Sequence, residues 1–454
     1  MELKDLHSVY FVGIGGIGMS ALARYFNGRG SQVRGYDRTE TELCRTLAAE
    51  GIDIHYTEDI GQIPDRVDLV VYTPAVPESH AELQYFREQG VPMKKRAEVL
   101  GLISRSMKAI AIAGTHGKTT TTTLTAYLLR ACGIDCSAFL GGIALDFSSN
   151  FVEGQSDWVV VEADEYDRSF LQLAPDIAVI LSMDADHLDI YGTLEGLHET
   201  GFRAFAQRLK QGGSLLVQHN WAEALGDAPG MATFGIEDGL YRSENVRVEN
   251  GYFTFDYRSA EDKMEGLQLS LPGQHNVENA TAAIAIARQL GAEEADLRMA
   301  LRDFRGIRRR FEFLYRQADG VYIDDYAHHP SELRAAIGAA RQLYPERSIT
   351  GIFQPHLFSR TRDFADGFAD ALQALDDILL LDIYPAREAP IEGIDSSMLL
   401  KKINHPRKQL LREEDVLKAV QKRAPEVLLT LGAGDIDLLR DPLQAYFKKR
   451  KNHG

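Results

Sequence analysis

The run Ala113-Gly-Thr-His-Gly-Lys118-Thr119-Thr120 follows an apolar stretch, residues 109–113, and opens a helical stretch that reaches about residue 130. Gly114 and Gly117 leave the backbone free to turn, so that N–H groups around Thr115 and His116 can converge on phosphate oxygens. Lys118 would place a point charge between the β- and γ-phosphates of ATP. The Thr119 hydroxyl would ligate Mg²⁺, and Thr120 follows in the first turn of a helix whose dipole faces the anion. The strict Walker spacing asks for a glycine five residues before Gly117, where Ile112 stands. The physical devices are kept without it.

Downstream, Val159-Val-Val-Glu162-Ala-Asp164-Glu165-Tyr-Asp167 ends an apolar run in acids. A carboxylate at the C-terminal end of a buried parallel strand stands where α/β sheets bind ligands, which makes Glu162 a candidate Mg²⁺ ligand. A second run, residues 177–181, leads to Met183-Asp-Ala-Asp186-His187-Leu-Asp189. His187 can therefore reach the same site, although imidazole is a less usual Mg²⁺ ligand. The other acids of both segments read as solvated loop charges or caps. Near the N-terminus, Gly13-Ile-Gly15-Gly16-Ile-Gly18 follows a strand-like run and opens a helix, and Asp37 ends the next strand-like run. That pattern holds a diphosphate beside a ribose. It does not specify nicotinamide, and a UDP-linked substrate fits it equally well.

These devices need strands that end at them. An α/β pattern opens three times, at Val9-Tyr-Phe-Val12, at Ala109-Ile-Ala-Ile-Ala113 and at Val321-Tyr-Ile-Asp324. In each block short β-rich runs alternate with helical stretches, as in a mostly parallel sheet covered by helices. Residues 231–271 differ. Their glycines and the alternation in YFTFDY read as small hairpins inserted before a helix at 276–290. Boundaries fall near residues 107 and 311, giving segments 1–107, 108–311 and 312–454.

The totals agree with an ordinary globular chain of several domains: 454 residues, 44% hydrophobic and 26% charged. The net charge of −16 repels a phosphate backbone, which argues against nucleic acid as a partner. Three cysteines, Cys44, Cys132 and Cys136, match neither a redox nor a zinc spacing and suit reduced thiols in a cytoplasmic chain. No run of apolar residues is long enough for a membrane span, and the N-terminus lacks the features of a signal peptide.

Taken in order, AGTHGKTTT, EADEYDRSFL, DADHLDIY, PGQHNVENATAA, RRRFE and DDYAHHPSE resemble the motifs of the Mur ligase family, and the resemblance covers nearly the whole chain. YFVGIGGIGMSALA and DIYPAREAPIEGIDS resemble its alanine-adding branch. The resemblance implies an N-terminal Rossmann-like domain for a UDP substrate, a central phosphate-loop ATPase-type domain and a C-terminal Rossmann-like domain for an amino acid. It implies ATP and Mg²⁺ as cofactors, UDP-N-acetylmuramate and L-alanine as partners, and an amide ligation through an acyl phosphate in peptidoglycan synthesis. It assigns Lys118, Glu162 and His187 to phosphate and metals. His275, Asn276 and Asn279 go to the nucleotide pocket, and Arg310 and Asp325 face ATP. The UDP group falls to Gly13, Gly15, Gly16, Gly18 and Asp37. His328, His329, His356, Tyr384, Arg387 and Glu388 fall to the amino-acid pocket. Residues 198–205 hold no lysine, so no carbamylated lysine is expected there. The acceptor of the incoming amine's proton stays open among His187, His328, His329 and solvent. Lys118→Ala is expected to abolish turnover with the fold intact.

Overall fold

The computed structural model describes residues 3–186, 188–386 and 388–450. The chain separates into two compact units. The larger holds Met1–Asn245, Phe255–Leu267 and Glu278–Arg305, and the smaller holds Val246–Thr254, Gln268–Val277 and Gly306–Gly454.

The larger unit begins with a five-stranded parallel sheet. Its strands lie in the order Asp53–His55, Gln32–Tyr36, Ser8–Val12, Leu69–Tyr72, Met93–Lys95. Ser8–Val12 is buried along its whole length, as a central parallel strand with helices on both faces must be. The strand order reverses at this strand, so a crevice opens at its C-terminal end. The glycine loop fills that end and leads into the helix Ile17–Gly28.

The second sheet is centred on Lys108–Ala113, whose last five residues are fully buried. Trp158–Ala163 and Ile177–Ile180 flank it, both parallel to it. Beyond Ile177–Ile180 the sheet continues through Ser214–Gln218 and Met231–Ile236. Beyond Trp158–Ala163 it continues through Ser137–Ala144, and Ser149–Val152 closes that edge antiparallel. The β-rich residues after 231 form further strands of the same ten-stranded sheet, the last being Lys263–Leu269. The helix Gln274–Gln289 follows.

The smaller unit carries a six-stranded sheet in the order Glu312–Gln317, Gly320–Asp325, Val427–Leu431, Ile349–Phe353, Asp377–Leu380, Lys408–Leu410. Only its first strand runs antiparallel to its neighbour. The strand ends at Asp325, Phe353, Leu380 and Leu431 all point the same way, which gathers the loops after them along one edge. No helix among the described residues is long and apolar enough to cross a membrane.

Candidate active site

Three neighbouring parallel strands of the central sheet deliver three loops to one edge. After Ala113 the chain turns at Gly114 (φ 142°) and Gly117 (φ 81°), and the helix Lys118–Ala131 starts from Gly117 as its left-handed N-cap. A side chain at Gly114 would strike the backbone of the 181–182 segment, with its Cβ 2.9 Å from Ser182 N. At Gly117 a Cβ would lie 2.8 Å from Oδ1 of the buried Asn279. These two glycines are therefore set by close approach as well as by φ.

The loop after Ile177–Ile180 is stitched to the phosphate loop. Thr115 N donates to Ser182 O at 3.2 Å. The Thr115 and Ser182 hydroxyls share a hydrogen bond of 2.8 Å, and His116 N donates to Ser182 Oγ at 2.9 Å. Asp184 N donates to Thr115 Oγ1 at 3.1 Å, and the His116 ring stands 3.8 Å from the Asp184 carboxylate. Thr115 and His116 thus serve as struts of the loop, and their main-chain groups line it.

Lys118 lies under this loop with its Nζ 2.7 Å from Gly114 O and 2.8 Å from a carboxylate oxygen of Glu165. Burial disfavours its charge, but Glu165, Asp164 and Glu162 outweigh that and raise its pKa. Lys118 is held as an ammonium. Glu162 ends the neighbouring strand opposite Ile112. Its carboxylate lies over Gly141, where an added Cβ would sit 2.1 Å from Oε2. The expectation that the remaining acids here are solvated is wrong for Glu165, whose side chain is fully buried. Its partner Lys118 explains why a charge is tolerated there.

Thr119 and Glu162 offer hydroxyl and carboxylate oxygens, the donor types that Mg²⁺ takes, so the residues present fit that ion. Among the described residues no three or more His, Cys, Asp or Glu side chains cluster as a metal site. Mg²⁺ held through one or two carboxylates and substrate phosphates does not need such a cluster. His187 lies outside the described residues, as does Arg387. The segment that leads to and from residue 187 is anchored on both sides. His198 Nε2 donates to Met183 O at 2.8 Å, and Tyr191 Oη donates to Glu165 O at 2.7 Å.

In the first sheet, Gly13 N and Ile14 N donate to Tyr36 O. Asp37 turns inward: its carboxylate accepts from Gly15 N at 2.8 Å and from Thr39 N at 3.1 Å. Gly15 has no room for a side chain, since a Cβ would lie 2.5 Å from Cys44 Sγ. Gly16 is the N-cap of the helix Ile17–Gly28, which has no acid in its first turn. Over Gly18 lies the Arg96 guanidinium, 2.7 Å from where a Cβ would be, and it reaches to 4.0 Å from Asp164. Arg96 was not marked by the sequence. It belongs to a helix start 78 positions beyond Gly18 and is brought there by the sheet.

In the smaller unit, Asp325 accepts from Phe311 N and Ala327 N, each at 2.7 Å. Burial lifts its pKa to about 6 against the pull of Arg310 and these N–H groups. Arg310 lies 5.3 Å from the centre of the Tyr326 ring and 3.8 Å from Glu332. Arg309 locks this turn from below, donating to Gly432 O at 2.6 Å and pairing with the buried Asp324 at 3.3 Å. His356, Tyr384 and Arg360 gather nearby. The His356 ring stacks on Tyr384 at 5.7 Å and lies 6.2 Å from His328, and Arg360 donates to its Nδ1 at 3.5 Å. Burial, with His328 and Arg360, pushes the His356 pKa down to about 4, and burial also lowers that of His328. Arg360 is a second residue that sequence reading missed, four positions past His356 in the first turn of the helix Phe358–Leu372.

Two expected pocket residues do structural work. His329 is the N-cap of the helix Pro330–Leu343 within a capping box closed by Glu332. Glu388 accepts from Ser359 N at 3.0 Å and so tethers the start of the helix Phe358–Leu372. Asn276 donates to Pro272 O at 2.6 Å at the start of its helix, and His275 beside it is exposed.

Residues 8–108 match the model of the Mur ligase family catalytic domain, residues 112–287 the Mur ligase middle domain and residues 309–434 the Mur ligase glutamate ligase domain. The chain is 44% identical to the UDP-N-acetylmuramate–L-alanine ligase of Cytophaga hutchinsonii, over 99% of each chain. It is 46% identical to the ligase of the same name from Flavobacterium johnsoniae, over 96% of this chain and 97% of the other. Among solved structures, the UDP-N-acetylmuramate–alanine ligase of Thermotoga maritima superposes with a TM-score of 0.83 at 30% identity, covering 98% of this chain and 99% of that one. A murein peptide ligase from Psychrobacter arcticus shares the fold at a TM-score of 0.71 and 23% identity. With the phosphate loop, its lysine and the acids of the next strand in place, and with matches running almost end to end, the chain belongs to the Mur ligase family and is a ligase.

Proposed function

We propose that this ligase uses ATP to join L-alanine to the lactyl carboxylate of UDP-N-acetylmuramate, giving ADP and phosphate, in peptidoglycan precursor synthesis. One observation carries the reading. Lys118 and Glu162 stand at neighbouring strand ends, in a chain 44% identical along its length to a ligase of that name.

A carboxylate is a poor electrophile, and phosphorylation gives it a leaving group. The lactyl carboxylate attacks the γ-phosphorus of ATP, and the acyl phosphate forms as ADP departs. The alanine amine then attacks the acyl carbon, and the tetrahedral intermediate expels phosphate. Lys118 supplies positive charge where the β- and γ-phosphates must lie, and the loop glycines let main-chain N–H groups approach them. Mg²⁺, when bound, neutralises phosphate charge, with Thr119, Glu162 and His187 as the residues to hold it. Gly13, Gly15, Gly16 and Gly18 present the helix start to the UDP diphosphate, and Arg96 adds a guanidinium beside it. Asp37 is assigned to holding that loop, since its carboxylate is already bonded within it.

For the amino acid, Arg360 offers a fork for the carboxylate, with neutral His356 and the Tyr384 ring as walls. His329 is engaged in its helix cap, so His328, kept neutral by burial, is the better base among the described histidines. The proposed substrates suit a reaction in the cytoplasm.

The test is phosphate release with UDP-N-acetylmuramate, ATP and Mg²⁺, adding L-alanine, glycine, L-serine or a ready-made cell-wall tripeptide in turn. L-Alanine should give the highest kcat/KM. Release driven by the tripeptide in preference to L-alanine, or no acceptor-dependent release, defeats the proposal.

A further inference from the structure

Lys118 is already engaged in this structure. Its Nζ donates to Gly114 O at 2.7 Å and contacts both carboxylate oxygens of Glu165, at 2.9 and 2.8 Å. Glu165 is fully buried, and its own main-chain oxygen accepts from the buried Tyr191 hydroxyl at 2.7 Å. The main chain of Glu165 is therefore anchored by Tyr191, and its carboxylate is held by the lysine. An ammonium has three N–H donors and no more. Here they go to a loop carbonyl and a carboxylate, so terminal phosphates would have to compete with that carboxylate for the same ammonium. Two anions competing for one ammonium in a poorly solvated pocket repel each other strongly.

We propose that Glu165 is the positioning residue of Lys118: a resident anion that keeps the ammonium stretched across the phosphate loop until the terminal phosphates of a nucleotide replace it. The proposal rests on the ATP reading of the loop. Parting the pair opposes nucleotide binding, so the enzyme holds ATP more weakly than the loop alone would, and Lys118 returns to a defined place when the nucleotide leaves.

Glu165→Gln keeps the shape and removes the charge. Calorimetry with a non-hydrolysable ATP analogue and Mg²⁺ should show affinity about tenfold tighter than in the unaltered enzyme, from loss of a single competing charge. The KM for ATP should fall with it, and the KM for UDP-N-acetylmuramate should stay. Glu165→Asp, which keeps the charge on a shorter arm, should lie between the two. In the unaltered enzyme, a crystal structure with the analogue should show Lys118 Nζ out of hydrogen-bond reach of Glu165. Affinity equal to or weaker than the unaltered enzyme's in Glu165→Gln overturns the proposal. So does a bound analogue with the Lys118–Glu165 contacts intact. If the unaltered enzyme binds no nucleotide, the ATP reading itself falls.

Discussion

Glu162 owes its place to a residue without a side chain. Gly141 lies beneath its carboxylate, and a Cβ there would come within 2.1 Å of Oε2. The carboxylate is the far end of a flexible side chain, so Gly141→Ala should move it at little cost to the fold. We expect the Mg²⁺ concentration for half-maximal turnover to rise about tenfold, and Mn²⁺ binding followed by paramagnetic resonance to weaken alongside, with the thermal midpoint within about 2 °C of the parent. An unchanged metal requirement would show that Glu162 does not serve the ion. Lys118 has the opposite character. Removing it leaves Glu165 buried without its cation, and breaking such a pair costs about 3–5 kcal/mol. Lys118→Ala should therefore lose both activity and stability, contrary to the expectation of an intact fold. Lys118→Met with Glu165→Gln should recover the stability and remain inactive, as urea unfolding and phosphate release would show. Asp325 gives a pH signature. Its carboxyl is raised to about 6 in the folded chain, against about 3.9 when unfolded. The folded state binds that proton more tightly, so its contribution is present below about pH 4 and is lost as pH rises through about 6. Relative to Asp325→Asn, the parent should lose up to roughly 2–3 kcal/mol of unfolding free energy between pH 4 and 7. A difference that stays flat across this range would remove Asp325 as the source.

At the scale of elements, the phosphate loop and the loop after Ile177–Ile180 act as one piece, joined through Thr115, His116, Ser182 and Asp184. His198 extends the brace by holding Met183 O from within a π-helical turn, His198–Arg203. His198→Ala should cost about 1 kcal/mol of stability, the worth of a typical hydrogen bond. It should lower kcat about tenfold while leaving the KM for L-alanine in place, because the segment bearing His187 loses an anchor. An unchanged kcat would mean that the segment is held without it. The elements that bear the loops were legible because each combines an apolar run with a glycine turn, as at residues 109–117 and 9–18. What escaped depends on distant partners. Arg96 reaches Gly18 only through the sheet, and the burial of Glu165 depends on Lys118, 47 positions earlier. The helix Phe358–Leu372 is a further case. Its first turn is held by Glu388, 29 positions away from Ser359, and Phe364 marks a kink within it. Local pattern can show that a strand ends, but not which side chains from elsewhere will meet there.

For the whole molecule, the net charge of −16 sets the long-range field in which anionic substrates arrive. Raising ionic strength from about 0.01 to 0.15 M shortens the screening length from about 30 to 8 Å. The kcat/KM for ATP should rise over that range as the general repulsion fades. A steady fall would show that the cations near the two glycine loops dominate the approach. The three α/β blocks read from the sequence appear as three sheets, because a strongly apolar strand recurs at the head of each. The ring-like closure of Asp37 onto Gly15 carries a lesson for drug chemists. Under the proposed UDP-binding role of this loop, a mimic that places a second acid over Gly15 would meet a carboxylate already seated there, so potency should come from one acidic group aimed at Gly18 and Arg96, with a neutral donor turned toward Asp37.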